Sequence, residues 1–257
     1  MKLSRNKRFS IDLVIISTSL VVWMLLLVNP GNIMTMEHCH ISTSGLSSVS
    51  LQMLLEMNPL SSQLMGWGLM VIAMMLPKLI FPIQFIYLQS LKRYRFANAL
   101  LFVFGYIIIW MLAGVLMIAI IIWVNLWMPM SYLPAMILGF MAILWQYSPM
   151  KQRFLNLGHN HQTLSAFGWN TMIDALFFGV NHGLACIGSG WALMLFPMLL
   201  PQGHNAAMII VTYIMIAEHF EHPRVPRWEF NLRLRFTRMI IAQTKIKLTA
   251  YINFKRN

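Results

Sequence analysis

The sequence predicts an all-α membrane protein, a polytopic helix bundle with about six transmembrane helices. Three observations predict this class. Hydrophobic residues make up 58% of the 257 residues and charged residues only 10%, whereas a soluble domain carries roughly 25% charged residues. Apolar runs long enough to cross about 30 Å of hydrocarbon recur along the chain. If these runs are taken as spans, all but one of the 19 Lys and Arg residues fall on the same face.

The apolar runs predict six spans. The first is expected to be a retained helix rather than a cleaved signal peptide, because Asn29-Pro30-Gly31 lacks the small-residue cleavage pattern. The second contains Pro77 and Pro82 and is expected to be kinked, because proline removes a helical hydrogen bond. The segment 152–174 is mixed in character and is expected to lie at the interface. The six predicted spans cover about residues 11–29, 63–88, 97–123, 132–147, 173–200 and 205–220.

The distribution of positive charge predicts the orientation of the chain. The loops at 30–62, 125–131 and 201–205 contain no Lys or Arg, and positively charged residues collect in the cytoplasmic loops of membrane proteins. Both termini are therefore expected in the cytoplasm, with the spans in a bacterial inner (cytoplasmic) membrane. The net charge of +12 is interpreted as this topology signal and as contact with anionic lipid headgroups, and nucleic acid is not expected as a partner.

Two regions are predicted, a transmembrane domain over residues 1–222 and a basic interfacial tail over residues 223–257. The tail holds nine Lys and Arg residues against the single acidic residue Glu229, and its apolar side chains alternate with arginines. This pattern predicts an amphipathic segment that lies on the bilayer surface. A further span, created by breaking the fifth one near His182, would place the tail outside and contradict the charge distribution.

Motifs in the second and fifth spans occur in a recognisable order. The second span contains Trp67 and then Ala73-Met74-Met75-Leu76-Pro77, and the fifth contains Asn181-His182-Gly183-Leu184-Ala185-Cys186-Ile187-Gly188. Glu218 closes the last span. In this order, over roughly residues 60–222, the chain resembles the domain-of-unknown-function 2182 family, which is described as predicted metal-binding integral membrane proteins. The resemblance implies a helical membrane fold and a metal site.

The chain departs from this family's pattern at several positions. Ser189 and Gly190 stand where the family has a pair of cysteines, and Lys78 stands where it usually has a small residue. Further family positions for cysteine and histidine follow the fourth span, and they correspond here to Phe154, Leu157 and Gly158. His159 and His161 lie close by but out of register. The resemblance therefore covers the fold more completely than the metal ligands.

His182 and Cys186 are the candidate metal ligands inside the predicted bundle. Their spacing of four residues places an imidazole and a thiol on one face of a helix, and both groups bind copper or zinc. Met194 and Met198 continue this face and offer thioether ligands. The alternative is helix packing, with Cys186 as a small buried apolar residue. Small residues that allow close helix approach support this alternative, and they are Gly179, Gly183, Gly188 and Gly190.

The predicted outer loop contains a second set of candidate metal ligands. They are Met34, Met36, His38, Cys39 and His40. Thiolate, thioether and imidazole groups suit copper better than magnesium or calcium, and the loop faces the side from which an extracytoplasmic metal arrives. His204 is expected on the same side. The alternative is an ordinary polar loop. A disulfide between Cys39 and Cys186 is not expected, because the two residues are predicted at different depths.

Lys78 is the one Lys or Arg residue inside a predicted span. Such a residue costs several kcal/mol unless it is paired or reaches the interface. Its candidate partners are Asp174, Glu218 and the backbone carbonyls freed by Pro82. A role in a polar pathway through the bundle is the alternative.

The inner end of the last span carries a cluster of histidines and carboxylates. Glu218 and His222 are four residues apart and share a helix face. His159 and His161 are predicted on the same side, so the cluster offers an inner metal site with oxygen and imidazole ligands. The alternative is a solvated helix end. The other members of the cluster are His219 and Glu221.

The motifs predict metal handling rather than catalysis. The sequence has no nucleophile elbow, Walker motif, HExxH or GxGxxG, so no enzyme activity is expected. We expect an inner-membrane protein that binds or handles a transition metal, with copper as the first candidate and zinc as the alternative. The rival hypothesis is an accessory or structural subunit of a larger membrane complex, such as a copper-dependent oxidase or monooxygenase. A transporter would need a polar path, for which Lys78, Asp174 and Glu218 are the charged candidates.

Overall fold

The computed structural model describes residues 5–28, 59–128, 131–160, 162–165, 168–229 and 235–256. These residues contain helices, turns and connections, and no β-strand. The predicted all-α class is therefore confirmed. In chain order the helices are α1 (Arg5–Val28), α2 (Leu60–Met75), α3 (Ile80–Gln89), α4 (Arg95–Trp127), α5 (Leu133–Tyr147), α6 (Pro149–Gly158), α7 (Asn170–Met198), α8 (His204–His219) and α9 (Arg235–Arg256).

Helix α7 lies at the centre of the bundle and contacts α4, α5, α6 and α8. Its longest interface is with α4, where glycines let the two helices approach closely. A Cβ atom at Gly179 would overlap the backbone of Phe102, and one at Gly105 would lie 2.6 Å from the carbonyl oxygen of Leu176. Small residues at such positions are typical of tightly packed membrane helices. Helix α7 runs without interruption through His182, as the charge distribution predicted.

Helices α2 and α3 form one long segment that is broken by a 3₁₀ turn at Leu76–Leu79. Pro77 lies in this turn and supplies the physical cause, because it lacks the amide hydrogen that an α-helix needs at that point. The α-helical hydrogen bonding is therefore interrupted beside Pro77, where the kink was predicted. Helix α1 packs along this segment on both sides of the break: Ser19 Oγ donates to the carbonyl oxygen of Ala73 at 2.7 Å, and Gln84 Nε2 donates to Asp12 Oδ1 at 2.6 Å.

The number of helices that can cross a membrane is smaller than the six spans predicted. Four segments of the described chain are long and apolar enough, namely Ser10–Val28, Leu60–Gln89, Arg95–Trp127 and Asn170–Met198. Helices α5 and α6 add a fifth if they are taken together, although they are bent by 67°. Helix α8 has 16 residues and is about 24 Å long at 1.5 Å per residue. It is therefore shorter than the hydrocarbon core of about 30 Å.

The basic tail forms helix α9, which contacts α8. The hydroxyls of Tyr213 and Thr237 are 2.6 Å apart, and Arg235 N donates to Glu221 Oε1 at 3.3 Å. Several apolar side chains of α9 are exposed, including Met239 and Ile241. The tail is not among the segments of membrane-spanning length, which agrees with the predicted amphipathic helix. The division into two regions and the side on which the termini lie stay predictions.

Candidate functional site

A buried polar site lies where the 3₁₀ turn meets α4 and α7. Its centre is Cys186 Sγ, which accepts a hydrogen bond from Lys78 Nζ at 3.3 Å and another from Tyr106 Oη at 3.2 Å. The exposed fraction is 6% for Lys78, 1% for Tyr106 and 6% for Cys186. An amine, a phenol and a thiol from three separate elements thus meet in the interior. We call these three residues the Cys186 site.

The local sequence explains why these three side chains meet. The 3₁₀ turn replaces α-helix at Lys78, and the lysine side chain is buried there. Gly183 lies between His182 and Cys186 and allows α4 to pass close to α7, since a Cβ there would lie 3.2 Å from the Cβ of Ile109. Cys186 was expected from its spacing to His182, and Lys78 from its place in an apolar run. Tyr106 was not expected, because it lies in a helix that is apolar all round.

The partner of Lys78 differs from the ones that were predicted. Asp174 Oδ2 accepts a hydrogen bond from Ser165 N at 2.9 Å, and Glu218 Oε1 lies 2.7 Å from Lys151 Nζ. Neither carboxylate pairs with Lys78, so the expectation of an Asp174 or Glu218 partner is wrong. The side chain that accepts from Lys78 is the thiol of Cys186, which was not among the candidate partners. Lys78, Asp174 and Glu218 also take part in three separate interactions instead of forming one charged path.

His182 lies on the same buried face of α7 as Cys186 and is surrounded by rings. Its ring centroid is 5.8 Å from that of Phe102, 5.9 Å from Tyr106 and 6.2 Å from Phe178. On its other side the His219 ring is 6.5 Å away in an edge arrangement. The imidazole therefore contacts a ring of the Cys186 site and a ring at the end of α8. Tyr106 contacts His182 through its ring and Cys186 through its hydroxyl.

A second buried polar cluster lies where α5, α6 and α8 meet. Lys151 Nζ and Glu218 Oε1 form an ion pair at 2.7 Å, with exposed fractions of 0% and 2%. Gln146 hydrogen-bonds to both partners, and Ser148 Oγ caps α6 by accepting from Lys151 N at 3.1 Å. Gln146 thus supplies a polar partner to each member of the buried ion pair, which offsets part of the cost of removing the two charges from water. Glu218 was expected in an inner metal site or beside Lys78, and its pairing with Lys151 was not predicted.

The predicted inner metal site is not assembled among the described residues. The rings of His159 and His219 stack at 5.8 Å, and His159 Nδ1 lies 2.8 Å from the carbonyl oxygen of Leu155. Glu221 pairs with Arg224 at 2.6 Å. A neighbouring cavity of about 20 Å³ has room for about one water. Within the part of the chain that the structure describes, no group of three or more His, Cys, Asp or Glu residues could hold a metal ion.

The remaining candidate ligands are those of the predicted outer loop, together with His161 and His204. Met34, Met36, His38, Cys39 and His40 lie outside the described residues, as does His161. His204 begins α8, and its Nδ1 lies 2.8 Å from the carbonyl oxygen of Pro197. Burial lowers the pKa of His204 below its ordinary value, and the bond to Pro197 opposes this shift.

An apolar cleft opens between α5 and α8 over the surface of α7. Its volume is about 620 Å³, and it ends at Gln146 and Tyr147 near the second polar cluster. Gly139 and Ala142 line one wall, and Ala207 and Val211 line the other. Small and branched apolar residues at the rims of such a cleft suit a second apolar chain or helix.

The helices and the Cys186 site define a class: an all-α protein, with several helices long enough to span a membrane, that encloses a buried thiol. A comparison with family models then identifies the family. The chain matches the model of the PpoB2 family, described as copper chaperone, over residues 64–230, and it belongs to this family. The match includes the Cys186 site and the second polar cluster but not the loop with Cys39. No curated protein and no solved structure matches the chain.

The family match bears on the resemblance drawn from the motifs. A copper-related family is confirmed over nearly the same residues, since the motifs indicated about 60–222 and the family model covers 64–230. The name of the domain-of-unknown-function 2182 family is not supported by the match. The preference for copper over zinc, which followed from the soft ligands, agrees with the family description.

Proposed function

We propose that this chain is an integral membrane protein that binds Cu(I) as cargo and passes it on without covalent catalysis. The match to a copper chaperone family over residues 64–230 carries this proposal. The helices of membrane-spanning length support a bilayer location. The lysine and arginine distribution supports a bacterial inner membrane with both termini in the cytoplasm.

Two sets of ligands would serve the cargo. The loop residues Met34, Met36, His38, Cys39 and His40 would capture the ion, because soft sulfur and imidazole groups favour Cu(I). The interior ligands would be Cys186 and His182, which share the buried face of α7. Cys186 supplies a sulfur in a water-poor setting, and Tyr106 and Lys78 already orient that sulfur. The two sets make separable contributions to the amount of copper bound.

Elemental analysis of the full chain in mild detergent tests this proposal. The purified protein is loaded with Cu(I), and the bound metal is measured per chain beside zinc. We expect copper near one equivalent or more, a loss in the Cys39→Ser chain, and a further loss when Cys186→Ser and His182→Ala are combined. Thr212→Val is the matched control, because Thr212 is buried on α8 and bonds only within its helix, to Met208 O at 2.7 Å. A chain that binds no copper would refute the proposal.

The apolar cleft favours a second function, that of an accessory subunit in a larger membrane complex such as a copper-dependent oxidase or monooxygenase. Helices α5 and α8 flank a volume of about 620 Å³ that a partner helix would fill. We expect Ala142→Trp to abolish co-purification of a defined membrane complex while leaving the copper content unchanged. Retention of the same complex by the Trp variant would argue against this function. Binding of anionic headgroups by the basic α9 would assist either function.

A further inference from the structure

We propose that Lys78 is an internal competitor of Cu(I) for the sulfur of Cys186. The lysine headgroup would have to leave the sulfur before the metal binds, and its return would favour release of the metal. This inference rests on the proposed function and specifies how the interior site is regulated. Lys78 lies in the 3₁₀ turn between α2 and α3, and from there its headgroup reaches the sulfur.

The geometry around the sulfur carries the first step. Lys78 Nζ and Tyr106 Oη both donate to Cys186 Sγ, at 3.3 Å and 3.2 Å. Metal–thiolate bonds are much shorter, about 2.3 Å for zinc, and they form on the thiolate, so the proton of the Cys186 thiol leaves to water as the metal binds. A metal at this distance enters the space around the sulfur that the two donors now fill. Lys78 carries a positive charge and is repelled by the incoming cation, whereas Tyr106 is neutral.

Burial strengthens the electrostatic repulsion between the Lys78 headgroup and a copper ion on the sulfur. Lys78 and Cys186 are each 6% exposed, so little water screens one cation from the other. The ion pairs among the described residues join Lys151 to Glu218, Arg224 to Glu221, and Arg227 to Glu229. None of them includes Lys78, so no carboxylate of these pairs offsets the charge of the lysine. Copper and Lys78 therefore compete for one electron-rich atom.

The competition has a functional consequence for a protein that carries cargo. Part of the free energy of the copper–sulfur bond is spent on moving the Lys78 headgroup away, so the net affinity falls. The flexible four-carbon stem of lysine permits this movement without unfolding the turn. A chaperone must release its metal, and a resident cation that returns to the sulfur promotes release.

Competitive titration with a chromophoric Cu(I) chelator, on the full chain in detergent, tests the inference. Lys78→Met removes the cation and keeps a flexible side chain of similar length. We expect Cu(I) to bind this variant about tenfold or more tightly than the parent chain, because the charge repulsion is gone. The gain should vanish in the Lys78→Met Cys186→Ser double variant. Lys92→Met is the matched control, since it removes one exposed lysine far from the sulfur and should leave the affinity unchanged.

Lys78→Gln provides a second uncharged variant that keeps a hydrogen-bond donor, and it takes the place of Lys78→Met if that chain is not monodisperse. An unchanged affinity in both variants, with copper lost in Cys186→Ser, would overturn the competition and leave the proposed function standing. Tight copper binding by the Lys78 variants together with none by the parent would support the competition and refute the proposed function. Absence of copper from all chains would refute both.

Discussion

The two lysines that are buried in the described part of the chain, Lys78 and Lys151, have different kinds of partner. Lys151 forms an ion pair with Glu218, and Gln146 hydrogen-bonds to both. Lys78 donates instead to the sulfur of Cys186, a weak acceptor that is also a strong metal ligand. The comparison teaches that burial alone does not define the role of a charged residue. Loss of Lys151 would leave a buried carboxylate without its cation, whereas loss of Lys78 would leave a neutral sulfur with one donor fewer.

The largest effect is expected when the Lys151 pair is broken. Lys151→Met leaves Glu218 buried without its cation and should lower the free energy of unfolding by about 3 to 5 kcal/mol. Thermal and denaturant unfolding in detergent measure this loss. The double variant Lys151→Met Glu218→Leu should regain most of it, because an apolar pair avoids the desolvation cost. A single variant as stable as the parent would contradict a structural role for the pair.

Replacement of Lys78 sharpens the comparison, because the same Lys→Met substitution is expected to lower the free energy of unfolding far less. Lys78→Met removes a buried charge, and Cys186 Sγ keeps the hydrogen bond from Tyr106. The free energy of unfolding should change by less than about 1.5 kcal/mol. Unfolding curves of the Lys78→Met and Lys151→Met variants, measured under the same conditions, test this difference in stability. A loss as large as that of Lys151→Met would place both lysines in the same structural role.

Removal of the second donor to the sulfur should have a smaller effect. Tyr106→Phe deletes the hydroxyl that donates to Cys186 and keeps the ring beside His182. We expect a loss of about 1 kcal/mol in the free energy of unfolding, the usual value for one hydrogen bond. Calorimetry in detergent measures it. A cation is still present in this variant, so its Cu(I) affinity should stay close to that of the parent chain.

The smallest effect is expected at His204, which lies apart from both lysines. Burial lowers its pKa in the folded chain below the ordinary value of 6.5, so the unfolded chain binds a proton more readily. Its contribution to stability is therefore complete above pH 6.5 and is lost as the pH falls through the unfolded value toward the folded one. His204→Gln should reduce the slope of stability against pH below 6.5. An unchanged slope would show that other groups dominate it.

Much of the fold could be predicted from the sequence because its signals are local. Pro77 predicts the break in the second segment, and the charge distribution predicts one continuous helix through Asn181-His182-Gly183. The spacing of His182 and Cys186 predicts their shared face. The number of spans was less predictable, because it depends on where helices end. Pro149 begins a new helix, α6, whose axis is bent by 67° from that of α5, and α8 is short.

The partners in the two buried clusters could not be predicted in the same way. Tyr106 is one polar group in a helix of apolar residues, and only the packing of α4 on α7 brings it to Cys186. Lys151 was counted as part of the positive charge that sets orientation, yet its side chain is fully buried. In both cases the partners are more than 60 residues apart in sequence. Such contacts depend on tertiary structure and leave no periodic pattern.

The placement of α1 has a mechanical consequence for the broken segment. Ser19 holds Ala73 before the 3₁₀ turn, and Asp12 holds Gln84 beyond it. Helix α1 therefore restrains the 3₁₀ turn from both sides, because α2 and α3 can bend relative to each other there only if one of these bonds lengthens or breaks. Helix α1 lies outside the family match at residues 64–230. Part of the restraint on the turn that carries Lys78 thus comes from a helix that the matched region does not contain, beside the packing of α4 on α2 and α3.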